Sequence, residues 1–196
     1  MKDRALFVFF AISIFVGNAQ EINNLSRVGD FSDGLVAIEK DGKWAFMDNS
    51  GNIAIDFRDD LLVINKMPEF TDNRCLIKEV REGIEYYGYM DKTGQTVIKP
   101  AFLNATPFKD GHALAIINTR SVRGKNEYLN KDIVHNEFDE VVLNTQGDIV
   151  KYLRQIKGII MTKGRYKQPK IESRFLSKDL LSVKDENGKW KIIKMK

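Results

Sequence analysis

The chain repeats itself, and that constrains its fold more than any other feature. Residues 31–55 (FSDGLVAIEKDGKWAFMDNSGNIAI) align with residues 70–98 (FTDNRCLIKEVREGIEYYGYMDKTGQTVI). Phe31 falls on Phe70, Ile38 on Ile77, Trp44 on Tyr87, Phe46 on Tyr89, Met47-Asp48 on Met90-Asp91 and Gly51 on Gly94. A third unit opens with FKDGHALAI at 108–116 and resumes at VVLNTQGDIV, 141–150. A weaker fourth, LLSVKDENGKWKII, lies at 180–193. The period is about forty residues, so each unit is one supersecondary element that must stack on its neighbours to close a core.

Within a unit the side chains alternate with period two, the signature of strands. Leu35, Ala37 and Glu39 alternate with Val36 and Ile38, and Tyr87, Tyr89 and Asp91 with Gly88 and Met90. Asp41-Gly42 and Asn187-Gly188 are turn signals, because Gly and Asn accept positive φ cheaply. Gly51, Gly94 and Gly147 stand where longer hairpin loops need a left-handed residue. The expected fold is all-β: antiparallel β-hairpin or meander repeats stacked into one array. The units are expected at 31–69, 70–107, 108–152 with a polar loop inserted at 119–138, and 153–196, after a linker at 20–30. No convincing amphipathic helix is present, although 61–66 and 151–157 have room for a turn or two.

The segments GKWAFMDNSGNIAI and YYGYMDKTGQTVIKPAF, followed by FKDGHALAI, resemble the WG (KWG) repeat of bacterial repeat proteins. The pair that names the repeat is degenerate here: Trp44-Ala45, Tyr87-Gly88, Glu140-Val141 and Trp190-Lys191. The resemblance implies β-rich repeats used as interaction modules and supplies no catalytic residue.

The N-terminus reads as a leader. Lys2 and Arg4 precede an uncharged apolar run at 5–16, and Gly17 and Ala19 put small residues before a cut between Ala19 and Gln20. The run is shorter than the about 20 residues a spanning helix needs. Residues 1–19 are therefore expected to be a signal peptide, and the protein to be periplasmic or secreted, without a transmembrane anchor.

Charge is uneven. The chain carries a net +4, yet residues 151–196 hold fourteen Lys or Arg against four Asp or Glu, leaving the first 150 residues net acidic. Such asymmetry suggests an anionic partner. Export makes nucleic acid a poor choice and favours an anionic envelope polymer or an acidic protein. The expected binding residues are Arg154, Lys157, Lys163, Arg165, Lys167, Lys170 and Arg174, on strands whose other side packs through Ile156, Ile159, Ile160, Ile171 and Phe175. The plainer reading is a solvated face that keeps the chain soluble.

Little else points to chemistry. One cysteine and two histidines leave scant material for a disulfide framework or a histidine-based metal centre. Cys75 aligns with Val36 and Ala113 and reads as a packed thiol. Asp48 and Asp91 read as acceptors for the amides of their turns rather than as paired acid–base carboxylates. The cluster Asp56, Asp59 and Asp60 lacks the spacing of a calcium loop. Trp44, Tyr87 and Trp190 are expected in the core as repeat equivalents, with Tyr86 facing solvent. No catalytic residue, metal or cofactor is expected. The leading function is a non-enzymatic exported binding or scaffold module; the alternative is a cell-envelope hydrolase whose carboxylates come from different repeats.

Overall fold

Each repeat becomes one small antiparallel sheet, and the sheets stack in chain order. The computed structural model describes residues 21–64, 66–185 and 187–195. The leader and its cut at Ala19 and Gln20 lie outside the described residues. The first sheet runs β1 (Arg27–Ser32), β2 (Leu35–Lys40), β3 (Lys43–Asp48), β4 (Ile53–Arg58) in sequential order. The second is β5 (Cys75–Arg81), β6 (Ile84–Met90), β7 (Thr96–Phe102). The third is β8 (Asn104–Ala105), β9 (His112–Asn126), β10 (Lys131–Asn144), β11 (Ile149–Ile156). The fourth is β12 (Arg174–Ser177), β13 (Leu180–Lys184), β14 (Trp190–Lys194). All pairings are antiparallel and no described residue is helical.

The stacking explains why the strands of the second and third sheets read CLI and ALAI rather than strictly alternating apolar and polar. Cys75 and Ile77 face back onto Ala37, Phe46 and Ile55 of the first sheet. Leu76, Tyr87 and Tyr89 face forward onto Ala113, Ala115, Val141 and Leu143 of the third. Leu114 and Val142 in turn meet Leu181 and Val183 of the fourth. A sheet covered on both faces needs apolar side chains at successive positions.

Polar groups hold the stack in register. Asp33 Oδ2 accepts the Asn73 amide at 2.7 Å, and one unit later Asp72 Oδ2 accepts the Gly111 amide at 2.7 Å. Gly94 (φ +81°) sits with Ile55 Cγ2 3.2 Å from where a Cβ would stand, and Gly147 meets Ile98 in the same way at 3.1 Å. These turn glycines thus serve twice, for left-handed backbone and for close approach to the preceding sheet.

Several expectations change. The segment 20–30 is not all linker: β1 begins at Arg27, whose guanidinium bonds Glu39 across the strand pair and the Lys66 carbonyl. The insertion at 119–138 is not a polar loop. It forms the outer halves of β9 and β10, paired without a break from Lys131↔Asn126 to Asn144↔His112 except for one bulge. Val122 opposite Val134, both β-branched, suits that extended pairing. Residues 151–156 belong to strand β11, and 61–64 make only the isolated bridges Leu61↔Ile77 and Ile64↔Met67.

Trp190 is not in the core. It is 57% exposed, because it pairs with Lys184 on the face opposite Leu181 and Val183, and no described sheet follows to cover that face. Trp44 and Tyr87 are buried as expected, and Tyr86 is half-buried under the Arg81 guanidinium.

Candidate binding surface: the basic strap

Between β11 and β12 the chain leaves the repeat pattern. Residues 157–173 form no strand, contrary to the expected ladder of charged and apolar positions. They make an irregular strap with one turn, where Arg165 and Tyr166 amides both bond the Thr162 carbonyl. Ile159, Met161, Tyr166 and Ile171 pack onto Ile84, Leu103, Ile116 and Phe138, so the strap lies across the second and third sheets. Polar anchors fix its course. Asn104 Nδ2 donates to the Pro169 carbonyl at 2.8 Å, and Gln168 Nε2 donates to the Tyr87 hydroxyl at 2.8 Å. The Tyr87 hydroxyl itself donates to Glu85 at 2.8 Å. Burial, followed by that Glu85 bond, holds the Tyr87 phenol protonated far above its ordinary range. The Tyr87 bond lowers Glu85. Burial likewise pushes Tyr166 up to about 12.

With Ile159, Met161, Tyr166 and Ile171 turned inward, and Ile160, expected to pack with them, exposed, the strap leaves Lys157, Lys163, Arg165, Lys167 and Lys170 at the surface. Lys163 drapes its alkyl stem over Gly83, which keeps the ammonium at the surface. Arg174, exposed on β12, is a sixth cation beyond the strap's end. Arg154 differs. Its Nε donates to the fully buried Glu140 at 2.7 Å, and a second nitrogen lies 4.0 Å from Glu172. Glu140 also accepts the Ser173 amide at 2.8 Å. Arg154 is thus a structural tie between β10, β11 and the end of the strap. Sequence spacing could not separate it from the free cations, because its partner lies fourteen residues away across a strand pair.

The acidic candidates are engaged in turns. Asp48 Oδ1 accepts the amides of Ser50 and Asn52, and Asp91 Oδ1 those of Thr93 and Gln95. Asn144 and Asp185 repeat the pattern in the third and fourth units. These bonds hold both carboxyls below the ordinary carboxylate range, led by the Asn52 amide for Asp48 and the Thr93 hydroxyl for Asp91. A carboxylate so lowered contributes stability that is present above its unfolded value, about 3.9, and is lost as pH falls through the folded value. The Asp48→Asn, Asp91→Asn double variant should therefore be less stable at pH 7 and lose less on acidification below about pH 4. Urea midpoints measured from pH 7 to pH 3 check this; parallel curves for variant and parent would contradict it.

Of the other acids, Asp60 pairs with Arg58, whose Nη1 also reaches the Gly94 carbonyl at 2.9 Å. Cys75 is buried between the first two sheets, and desolvation pushes its thiol up to about 12. Such a thiol is a packing group at neutral pH. The two histidines lie apart, His112 bonded near its own turn and His135 beside Glu137.

Among families, the model described as WG containing repeat matches residues 25–44 and 87–119. The first stretch spans β1, β2 and Trp44. The second runs from Tyr87 through β7 and β8 into β9. No curated protein matches the chain.

Proposed function

Because this chain is a WG-repeat protein, we propose that its array serves as an exported, non-enzymatic binding or scaffold module that docks an anionic envelope polymer or acidic protein on the strap. One observation carries this reading: the strap spends Ile159, Met161, Tyr166 and Ile171 on the second and third sheets and leaves five cations free. Fixed cations on a clamped segment concentrate positive potential without the ordering cost a loose tail would meet. The hydrolase alternative needs carboxylates from different repeats. Asp48 and Asp91, the repeat-equivalent pair, are occupied by their turn amides and shifted away from general-acid chemistry.

Dextran sulfate serves as the polymer probe. Retention of the protein should fall steeply between low and high salt, as expected of screened surface charge with a Debye length of about 8 Å at physiological strength. Replacing Lys157, Lys163, Arg165 and Lys167 by Gln should weaken binding at least about tenfold with the melting temperature nearly unchanged, since exposed charges contribute little to stability. Retention that ignores salt, or survives the fourfold variant, would return these residues to a solvated face.

A further inference from the structure

The hairpin of β9 and β10 is twice as long as its counterparts in the other sheets, and its outer half stands away from the repeat core. Strand β11 pairs with β10 only from Leu143 to Phe138, and β8 reaches β9 only at Ala115 and Ile116. Past those points the two strands pair only with each other among the described residues. A lone two-stranded ribbon is marginal in water. This one ends in a tip where Tyr128 is fully exposed and Leu129 is 67% exposed, with the Leu129 amide held by Asn126 Oδ1.

The two open edges differ. On β9 the edge carries Arg120, Arg123 and Lys125 and no acid, which discourages pairing with itself. The ribbon's only bulge, at Arg123, is also on this strand and leaves β10 regular. On β10 the edge reads KDIVHNE, 131–137. Folded about Val134 against an antiparallel copy of itself, this segment matches at every position. On one face Lys131 meets the partner's Glu137, and Ile133 meets the partner's His135. On the other, Asp132 meets the partner's Asn136, and Val134 meets its own equivalent on the two-fold axis. No like charges oppose each other.

We propose that two copies of this chain associate through the open edge of β10, forming a continuous β9-β10-β10-β9 sheet about a two-fold axis at Val134. The exposed tip supports the same register. An antiparallel partner carries its residues 128 and 129 just past the partner's Lys131, which lies against Glu137. There β11 ends and the chain departs into the strap, leaving an open notch of about 330 Å³ lined by Phe138, Ile156 and Ile159 beside the polar His135, Gln155 and Lys157. Tyr128 and Leu129 thus gain a partly apolar seat in the arrangement that the charges select. Glu137 gives up its exposed contacts with His135 at 3.2 Å and Arg123 at 3.7 Å in exchange for the partner's Lys131. Seven strand residues and a tip make a small interface, so the association is weak and reversible, in the micromolar range.

Sedimentation velocity on the purified full chain, between about 5 and about 200 μM, reads the dimer directly. Lys131→Glu alone and Glu137→Lys alone each place two like-charged pairs across the axis and should weaken dimerisation at least about tenfold. Mixing the two variants pairs every opposite charge again, so the mixture should regain the parent's dimer. Both substitutions lie on the exposed ribbon, and unchanged melting temperatures verify that the array is intact. A parent that stays monomeric across the range would overturn the proposal. So would single variants that dimerise like the parent, or a mixture that remains monomeric.

Discussion

Glu140→Ala should be among the most damaging single substitutions in the described chain, costing about 3 kcal/mol. The carboxylate is fully buried, with one oxygen on Arg154 Nε and the other on the Ser173 amide. Truncation strands a guanidinium and a buried backbone donor together, and each then lacks the acceptor that compensated its desolvation. The figure lies at the lower end for a broken buried pair because Arg154 is about one-fifth exposed and keeps Glu172 at 4.0 Å. Glu140→Gln keeps the volume and one acceptor oxygen but turns its amide nitrogen, a donor, toward the second donor, so it should recover only part of that loss. Urea unfolding of the two variants separates these outcomes, and equal losses would show that the charge and its second acceptor matter and the packing volume does not. Strap docking should suffer as well in Glu140→Ala, since Ser173 ends the segment that carries the cations.

Gly88→Ala is expected to cost a similar amount, about 3 kcal/mol, the upper end for forcing an extra methyl into a packed site. A Cβ there would stand 2.4 Å from the Ile98 carbonyl oxygen, 2.6 Å from the Pro100 nitrogen and 2.8 Å from the Lys99 carbonyl carbon. All three are backbone atoms and cannot rotate aside. The cause is the bulge opposite. Tyr87 pairs with Phe102 and Tyr89 with Ile98, so three residues of β7 span the gap faced by Gly88 alone. In the first sheet Trp44 pairs with Arg58 and Phe46 with Ile55, so only two residues oppose Ala45. The smaller bulge leaves room for a methyl, which is why Ala stands there. Ala45→Gly should consequently cost only about 0.5–1 kcal/mol, from added chain entropy. Thermal melts of both variants test the asymmetry; a mild Gly88→Ala would mean that β7 can retreat.

These two sites mark how far the residues could be read without coordinates. The repeat, its turns and the aspartates at 48 and 91 were legible because they depend on local chemistry: left-handed glycines and side-chain acceptors two and four residues from their donors. Cys75, Trp44 and Tyr87 were legible through equivalence between units. Trp190 failed the same inference because equivalence carries over only where a following sheet covers the equivalent face. The ribbon at 119–138 reads as a loop because its composition is polar. An isolated pair of strands has two solvated faces, so its side chains lack the apolar signal of a buried strand.

What the sequence determined by itself is the all-β repeat, since period-two strands and positive-φ turns arise between near neighbours. Tertiary structure decided which cations are free and which are tied. Arg154 is bound to a glutamate fourteen residues away, while Lys157 three residues later is exposed. It also decided that residues 157–173 form a strap across two sheets rather than strands of the fourth unit. The anchors from Asn104 and Tyr87 to the strap span 65 and 81 residues, and a contact at that separation exists only once the sheets have stacked.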